Sequence, residues 1–334
     1  MPAHERAVAT RASGAIPVED LYRSERKLLW RLAYQMTGDV RDADDVVQET
    51  FARLIERPPP DAETSLRPWL VRVATNLAID VLRGRKRSGS TGCWLPAPID
   101  TGDEGDPDAA HLVDPEPAPD AKYGLRESVS FAFLLALEAL APRQRAVVVL
   151  RDVLDDSAAD VGRALGISEE SVRIVHHRAR RALAAYDRER CLPDARLERR
   201  TRAALEALVD ALVRQDARAL ERLLVESARA VADGGGVYTA LRVPLVGRDR
   251  VARFYLQAAL QRLAGGPRLG FRSVNGLPAV VIELARPVRR QAPLAVLRCE
   301  LAEDGRIREI HSILAPAKLG RISERARDSA AAPA

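Results

Sequence analysis

The chain has 334 residues, of which 47% are hydrophobic and 4% are aromatic. This length is too great for one ordinary small domain, and the apolar content excludes a disordered chain, so we expect two or three domains with cores of Ala, Leu and Val. The formal net charge of +5 is compatible with nucleic acid but does not establish it.

The N-terminal third of the chain is predicted to be helical. Residues 1–18 read as a flexible tail, and apolar residues then recur at helical spacing from 19 to 87, in about four helices. Stacked prolines at Pro58–Pro60 forbid helix and predict a loop. Residues 88–127 change to an acidic, Pro-rich linker in which Trp94-Leu95-Pro96 is out of place, because a solvated linker has no need of a tryptophan.

Residues 128–190 are predicted to be helical again and contain a helix-turn-helix at 157–183. Ser157 begins a capping-box-like sequence, Gly166 can adopt the left-handed conformation that ends a helix, and Ser168 can cap the next helix. The helix at 169–183 has one apolar side and one basic side without acids, as the major groove requires. The predicted DNA contacts on it are Ser171, Arg173, His176, His177, Arg178, Arg180 and Arg181. A merely solvated basic face is the alternative, but the turn chemistry, the caps and the helix spacing all agree with DNA binding.

The remainder of the chain is predicted to form an α+β domain at 196–320, followed by a flexible tail at 321–334. Two amphipathic helices fit 196–222, a Gly run at Gly234–Gly236 interrupts the chain, and a further helix fits Arg248–Leu263. Short strands are predicted at 268–275, 279–285, 294–302 and 306–314, and helices followed by strands indicate α+β architecture.

The cysteines and the N-terminus indicate in which cellular compartment the protein is expected. Cys93, Cys191 and Cys299 are far apart, form no Cys-x-x-Cys pair and have no His at metal spacing. The N-terminus lacks the apolar stretch of a signal peptide, and no apolar run approaches the roughly 18 residues that span a bilayer. We therefore expect a cytoplasmic protein with free thiols, no metal, no cofactor and no membrane contact.

An acidic helix at 39–56 carries a face that repels DNA and that suits a basic protein surface. Its order Asp-Ala-Asp-Asp-Val-Val-Gln-Glu-Thr-Phe, with Pro68-Trp69-Leu70-Val71-Arg72-Val73-Ala74-Thr75-Asn76 further on, resembles region 2 of the extracytoplasmic-function sigma factors of the sigma-70 family. The segment at 140–152, together with the helix-turn-helix, resembles region 4 of the same family. These resemblances imply two all-α sigma domains, region 2 at 19–87 and region 4 at 128–190.

The family resemblance implies roles for these residues in transcription initiation without enzymatic activity. The acidic face would hold the clamp helices of the beta-prime subunit of core RNA polymerase, through Asp42, Asp44, Asp45, Gln48 and Glu49. The helix from Trp69 to Arg87 would open the −10 element of promoter DNA, through Arg72, Asn76, Asp80, Arg83, Arg85, Lys86 and Arg87. The helix at 169–183 would read the −35 element.

The C-terminal extension resembles the SnoaL-like, ketosteroid-isomerase-like fold, which points to the sigma-J type with a fused SnoaL-like domain. The pieces that match this subgroup imply intramolecular docking through Trp94, Leu95, Pro96, Asp233, Gly234, Gly235, Gly236, Asn275 and Gly276. This chain departs from the usual residues of the subgroup at three places. Ala97 stands where the subgroup usually has Glu, and Val237 stands where it usually has Lys. Residues 315–317 replace part of its Asn-Pro-Asp-Lys-Leu segment. These departures concern the regulatory contact more than the fold.

Two other functions stay open at this stage. The C-terminal fold also hosts enzymes, and Asp233, Tyr238, Tyr255 and His311 could line a pocket, although no spacing shows a positioned general base. Binding of a small-molecule ligand by the same domain is a variant of this alternative. A DNA-binding repressor without polymerase contact would explain the helix-turn-helix but neither the acidic helix nor the segment at 69–87.

Overall fold

The computed structural model describes residues 18–59, 66–88, 92–102, 122–263, 265–288 and 290–322. The predicted N-terminal tail and most of the acidic linker lie outside these residues. Within the described ranges, no helix combines the length and the apolar character that a membrane crossing requires.

The described part of the first unit is a bundle of three helices, α1 (Val18–Thr37), α2 (Val40–Glu56) and α3 (Arg67–Ser88). The turn between the first two contains Gly38 in the left-handed region, at φ +64°, and Asp39, whose side chain caps α2 by accepting from the backbone N–H groups of Arg41 and Asp42. Three helices occupy the described part of the segment for which about four were predicted, and α1 alone runs for 20 residues.

The described residues of the second unit form six helices: α4 (Leu125–Ser128), α5 (Phe131–Leu137), α6 (Pro142–Val148), α7 (Ala158–Leu165), α8 (Glu169–Ala182) and α9 (Ala184–Arg188). Pro142 begins α6, as predicted, since the first helical position needs no backbone N–H. The helix continues as a π-helical turn at Val149–Val153. The first two units are joined by one continuous hydrophobic core, which contains Trp30, Phe51, Phe133 and Val147.

The C-terminal unit is α+β, as predicted. Helices α10 (Ala195–Val213), α11 (Ala217–Leu223) and α12 (Arg248–Leu263) accompany a mixed six-stranded sheet. The strands are β1 (Leu224–Asp233), β2 (Leu245–Val246), β3 (Pro267–Val274), β4 (Leu277–Leu284), β5 (Leu294–Leu301) and β6 (Ile307–Ile313), in the order β2-β1-β6-β5-β4-β3. Only β1 and β6 among these neighbours are parallel.

The structure corrects the predicted boundaries at three places. Strand β1 was not predicted, yet it pairs with β6 across the middle of the sheet. The C-terminal tail was predicted to begin at 321, but Ile322 is 1% exposed and packs in the core beside Leu95. Within the predicted linker, residues 95–100 are buried, with Ala97 and Ile99 in the core of the first two units and Leu95 in a core of the C-terminal unit, and α4 already begins at Leu125.

Candidate nucleic-acid interface and docking site

The helix-turn-helix consists of α7 and α8, and its turn forms as predicted. The Ser157 hydroxyl accepts from the Asp160 backbone N–H at 3.1 Å and caps α7, while Gly166 ends that helix at φ +64°. Ser168 caps α8 by accepting from the Ser171 N–H at 3.1 Å. These local interactions fix the angle between the two helices and leave the first turns of α8 accessible.

The basic side chains of α8 divide into two groups. His176 faces the Asp152 carboxylate at 2.9 Å, and Arg180 lies 3.6 Å from the same carboxylate and donates to the Tyr123 hydroxyl at 2.6 Å. Both side chains hold α8 onto its own unit, which leaves them less available to a ligand. The predicted contacts that are exposed are Arg173, His177, Arg178 and Arg181, with Ser171 half-buried beside them.

Helix α3, the other predicted DNA-facing element, packs against α7 of the helix-turn-helix. The Asn76 amide donates to the Arg72 carbonyl at 2.9 Å and lies 3.5 Å from the Ala164 carbonyl of α7. Arg72, Asp80, Arg83, Lys86 and Arg87 are exposed, and Arg83 pairs with Asp80 at 3.1 Å. The two helices predicted to read separate promoter elements are therefore in contact in this structure.

The acidic face of α2 is partly occupied by the protein itself. The Asp42 carboxylate receives a 2.7 Å bond from Arg85, and its pKa is raised by burial and by the neighbouring Asp39. The Asp44 carboxylate accepts from the Trp30 indole at 2.7 Å and from Arg321 at 2.8 Å. The three remaining predicted contacts of this face are exposed: Asp45, Gln48 and Glu49.

Trp94 contacts both the first unit and the C-terminal unit. Two cations lie near its ring, with the Arg85 guanidinium 4.9 Å and the Lys318 ammonium 4.5 Å from the ring centroid. A Cβ at Gly38 would lie 2.6 Å from the Trp94 ring, so the left-handed glycine is also needed for this close approach. The predicted phosphate contact Arg85 is thus directed inward, to Trp94, Asp42 and the Thr37 carbonyl.

Asp233 and Lys318 fasten the next linker residue, Leu95, to the C-terminal unit. Asp233 accepts from the Leu95 N–H at 3.0 Å and from Lys318 at 2.7 Å, and the Lys318 ammonium also donates to the Leu95 carbonyl. The side chains of Asp233 and Lys318 are only 7% and 9% exposed. Burial lowers the pKa of Lys318, and the adjacent Asp233 carboxylate opposes this effect. We call Asp233, Lys318, Trp94 and Leu95 the linker lock.

Asn275 joins the linker to both helical units. Its side-chain oxygen accepts from the Ile99 N–H at 2.9 Å, and its amide nitrogen donates to the Tyr34 hydroxyl and the Val129 carbonyl, each at 2.8 Å. The residue is 1% exposed and has φ +52°, a conformation that Asn tolerates better than most side chains. One amide therefore bonds simultaneously to α1, to the linker and to the start of the second unit.

The other predicted docking residues lie around the linker lock and Asn275. Pro96 is buried, and a Cβ at Gly235 would lie 2.8 Å from Ala315, so the glycine lets two backbones approach closely. A Cβ at Gly234 would likewise lie too close to Tyr238, whereas a Cβ at Gly236 would meet no such neighbour. The Gly276 N–H donates to the Thr101 hydroxyl at 2.9 Å.

The departures from the subgroup pattern leave the lock intact. Ala97 is fully buried, donates its N–H to the Gly38 carbonyl at 2.8 Å and accepts from the Tyr34 hydroxyl. Val237 is exposed and outside the lock, and Ala315 is the neighbour of Gly235. Lys318, at the Lys position of the Asn-Pro-Asp-Lys-Leu segment, is present and forms an ion pair with Asp233.

The side chains considered for catalysis do not form one site, because Asp233 and Tyr238 line one cavity while Tyr255 lines another. Asp233 belongs to the linker lock, while Tyr255 bonds to the Ser312 hydroxyl at 2.9 Å. His311 is completely buried and bonds through Nδ1 to Arg298 at 3.0 Å, beneath Phe131 of the second unit. Among the described residues, no group of three or more His, Cys, Asp or Glu side chains could hold a metal ion.

Sequence reasoning did not identify Gly38, Tyr34, Lys318 or Arg321 as docking residues. Their partners are 56 or more positions away in the chain, so periodicity carries no signal for them. The buried Arg145, which donates to the Met36 carbonyl at 2.8 Å between the first two units, was missed for the same reason.

Comparisons with known proteins agree with this division of the chain. Residues 21–88 match the Sigma-70 region 2 model, and residues 130–183 match the Sigma-70, region 4 model. Over 167 residues the chain is 40% identical to the ECF RNA polymerase sigma factor SigG of Mycobacterium tuberculosis, a match that covers 47% of this chain and 45% of SigG. The chain thus spans less than half the length of that relative.

A second relative extends the similarity into the C-terminal unit. The ECF RNA polymerase sigma factor SigJ of Mycobacterium tuberculosis is 33% identical over 249 residues, which cover 73% of this chain and 74% of SigJ. The crystal structure of SigJ from the same organism superposes with a TM-score of 0.67 at 28% identity and covers 91% of this chain and 98% of that one.

Proposed function

This chain belongs to the extracytoplasmic-function sigma factors of the sigma-70 family, and from this premise we propose that it binds core RNA polymerase and directs it to promoters under the control of its own C-terminal unit. The observation that carries the regulatory part is the Asn275 amide, which bonds to α1, the linker and the second unit at once.

The polymerase contact is assigned to the exposed part of the α2 face. The exposed side chains of this face are those of Asp45, Gln48 and Glu49, at positions i, i+3 and i+4 of the helix. An acidic face suits a basic protein surface. In sigma factors this face meets the clamp helices of the beta-prime subunit, which we propose as its partner here. Asp44 joins the contact only after Arg321 leaves it.

The promoter contacts are assigned to α3 and α8. Helix α8 presents four exposed basic side chains for the −35 element, and α3 ends in Lys86 and Arg87, which suit the phosphates around the −10 element. His176 and Arg180 support α8 from behind instead of reading bases, because Asp152 holds both.

The described arrangement is a closed state. Helix α3 packs against α7, Arg321 covers part of the α2 face, and the linker is fastened to the C-terminal unit. A bipartite promoter reader needs its two DNA-facing helices at separate positions along the duplex, so we propose that promoter binding follows opening of this arrangement. Membership of a non-enzymatic family also argues against catalysis by the C-terminal unit.

Charge reversal of the exposed α2 face tests the polymerase contact. Asp45→Arg combined with Glu49→Arg is expected to abolish co-purification with core RNA polymerase, because the substituted side chains repel a basic partner. The matched control is Glu198→Arg with Glu206→Arg, two exposed acids on α10, which is expected to co-purify normally. Unchanged binding of the Asp45/Glu49 variant would refute the assignment of this face, and failure of the wild-type chain to bind core polymerase would favour the repressor alternative.

A further inference from the structure

A cavity in the C-terminal unit lies apart from the DNA-facing, polymerase-facing and docking residues. Its volume is about 470 Å³, and its wall includes the apolar side chains of Phe254, Ile282, Val296 and Leu314. This size and lining are those of small-molecule sites, which are mostly apolar with a few placed polar groups. The cavity is large enough to hold a compact organic molecule.

One polar group of the cavity is a cation without a counter-ion. Arg262, in the last turn of α12, lines the cavity and is partly buried, and burial lowers its pKa with no compensating anion. Its closest polar partner is the Ala292 carbonyl, at 3.4 Å, and no carboxylate in the described part of the chain pairs with it. A charge withdrawn from water is costly unless it is paired, so this guanidinium favours an anionic ligand.

The second polar group is a pair of hydroxyls, one from Tyr255 on the same helix as Arg262 and one from Ser312 on β6. Tyr255 and Ser312 bond to each other at 2.9 Å, and both line the cavity. Tyr255 precedes Arg262 by seven residues, which is two helical turns, or roughly 10 Å at about 1.5 Å per residue. Ala258 and Ala259 lie between them and leave the space open.

We propose that this cavity binds a monocarboxylate with a medium-length apolar body. The carboxylate pairs with Arg262, the body lies along the apolar wall over Ala258 and Ala259, and the far end reaches the Tyr255–Ser312 hydroxyls. A planar carboxylate matches the two parallel donors of a guanidinium, and one partly buried cation balances one negative charge. The other arginine of the wall, Arg290, is exposed at the mouth.

The test is calorimetric titration of the full-length chain with octanoate, using octanol as a neutral probe of the same length. Octanoate is expected to bind about tenfold or more tightly than octanol, because only the anion gains a charge-assisted bond. Arg262→Gln is expected to remove this preference and Arg262→Lys to keep part of it. The matched control is Arg253→Gln, an exposed position of α12 that should bind like the wild type.

Equal binding of octanoate and octanol by the wild type, or no binding of octanoate, would overturn the proposal whether or not the variants fold. So would an Arg262→Gln chain that retains the preference. The titration contains neither polymerase nor DNA, so its result is independent of whether the chain acts as proposed in transcription.

Discussion

The linker lock can be opened by one substitution, Lys318→Met, which keeps the length of the side chain and removes its charge. The substitution leaves the Asp233 carboxylate 7% exposed and without its cation. Breaking a buried ion pair in this way costs about 3–5 kcal/mol, and we expect the lower value because Asp233 keeps the N–H donors of Leu95 and Gly235. About 3 kcal/mol corresponds to roughly a hundredfold shift toward the undocked linker.

Hydrogen exchange of the segment 92–102 measures this shift directly. The N–H groups of Leu95, Ala97 and Ile99 are bonded to Asp233, Gly38 and Asn275, so they exchange only when the segment undocks. Lys318→Met is expected to accelerate their exchange roughly a hundredfold while peptides of α12 keep the wild-type rate. Arg214→Met, at an exposed ion pair of α10, is the control and should change neither. Unchanged exchange of 92–102 in folded Lys318→Met would refute the role of this pair.

Two further predictions concern stability. Gly38→Ala is expected to lower the free energy of unfolding by at least about 1–2 kcal/mol in urea denaturation, because Ala is strained at φ +64° and its Cβ meets Trp94. Gly84→Ala, within α3 and with open space around it, is the control and should be neutral or stabilising. Equal stability of the two variants would contradict the close approach of Gly38 to Trp94. Burial raises the pKa of Asp156 to about 6 from 3.8. Ionisation of Asp156 therefore destabilises the fold fully above pH 6 and not at all below pH 3.8. Asp156→Asn should be more stable than the wild type at pH 8 by about 1 kcal/mol, after discounting for partial exposure, and this advantage should vanish near pH 4. A stability difference that does not depend on pH would show that ionisation of Asp156 is not its cause.

Local chemistry made the helix-turn-helix predictable from the sequence. Ser157, Gly166 and Ser168 act on residues three or four positions away, so the caps and the turn can be read from spacing alone. The α+β class of the C-terminal unit followed from the strand pattern in the same way. Strand β1 did not, because its sequence Leu-Val-Glu-Ser-Ala-Arg-Ala-Val-Ala-Asp is rich in Ala and its pairing with β6 is set by residues about 80 positions away.

The docking partners required the structure. Trp94 and Asp233 were predicted as docking residues, but nothing in the spacing indicates that Lys318 joins them or that Asn275 reaches Tyr34. Arg85 shows most clearly that the sequence does not reveal the partner of a side chain. Its place in a basic run predicts a phosphate contact, whereas its position beside Trp94 and Asp42 directs it inward. The charge of a side chain can be read from the sequence, but the partner it meets depends on the packing of distant elements.

We propose that the free chain holds its two DNA-reading units together and that core RNA polymerase separates them. Energy transfer between dyes at the exposed positions 57 and 185, in the first and second units and outside the proposed DNA and polymerase contacts, measures this separation. We expect high transfer in the free chain, a marked decrease when core polymerase is added, and no decrease for Asp45→Arg with Glu49→Arg. Transfer that stays high in a complex that initiates from its promoter would contradict the claim.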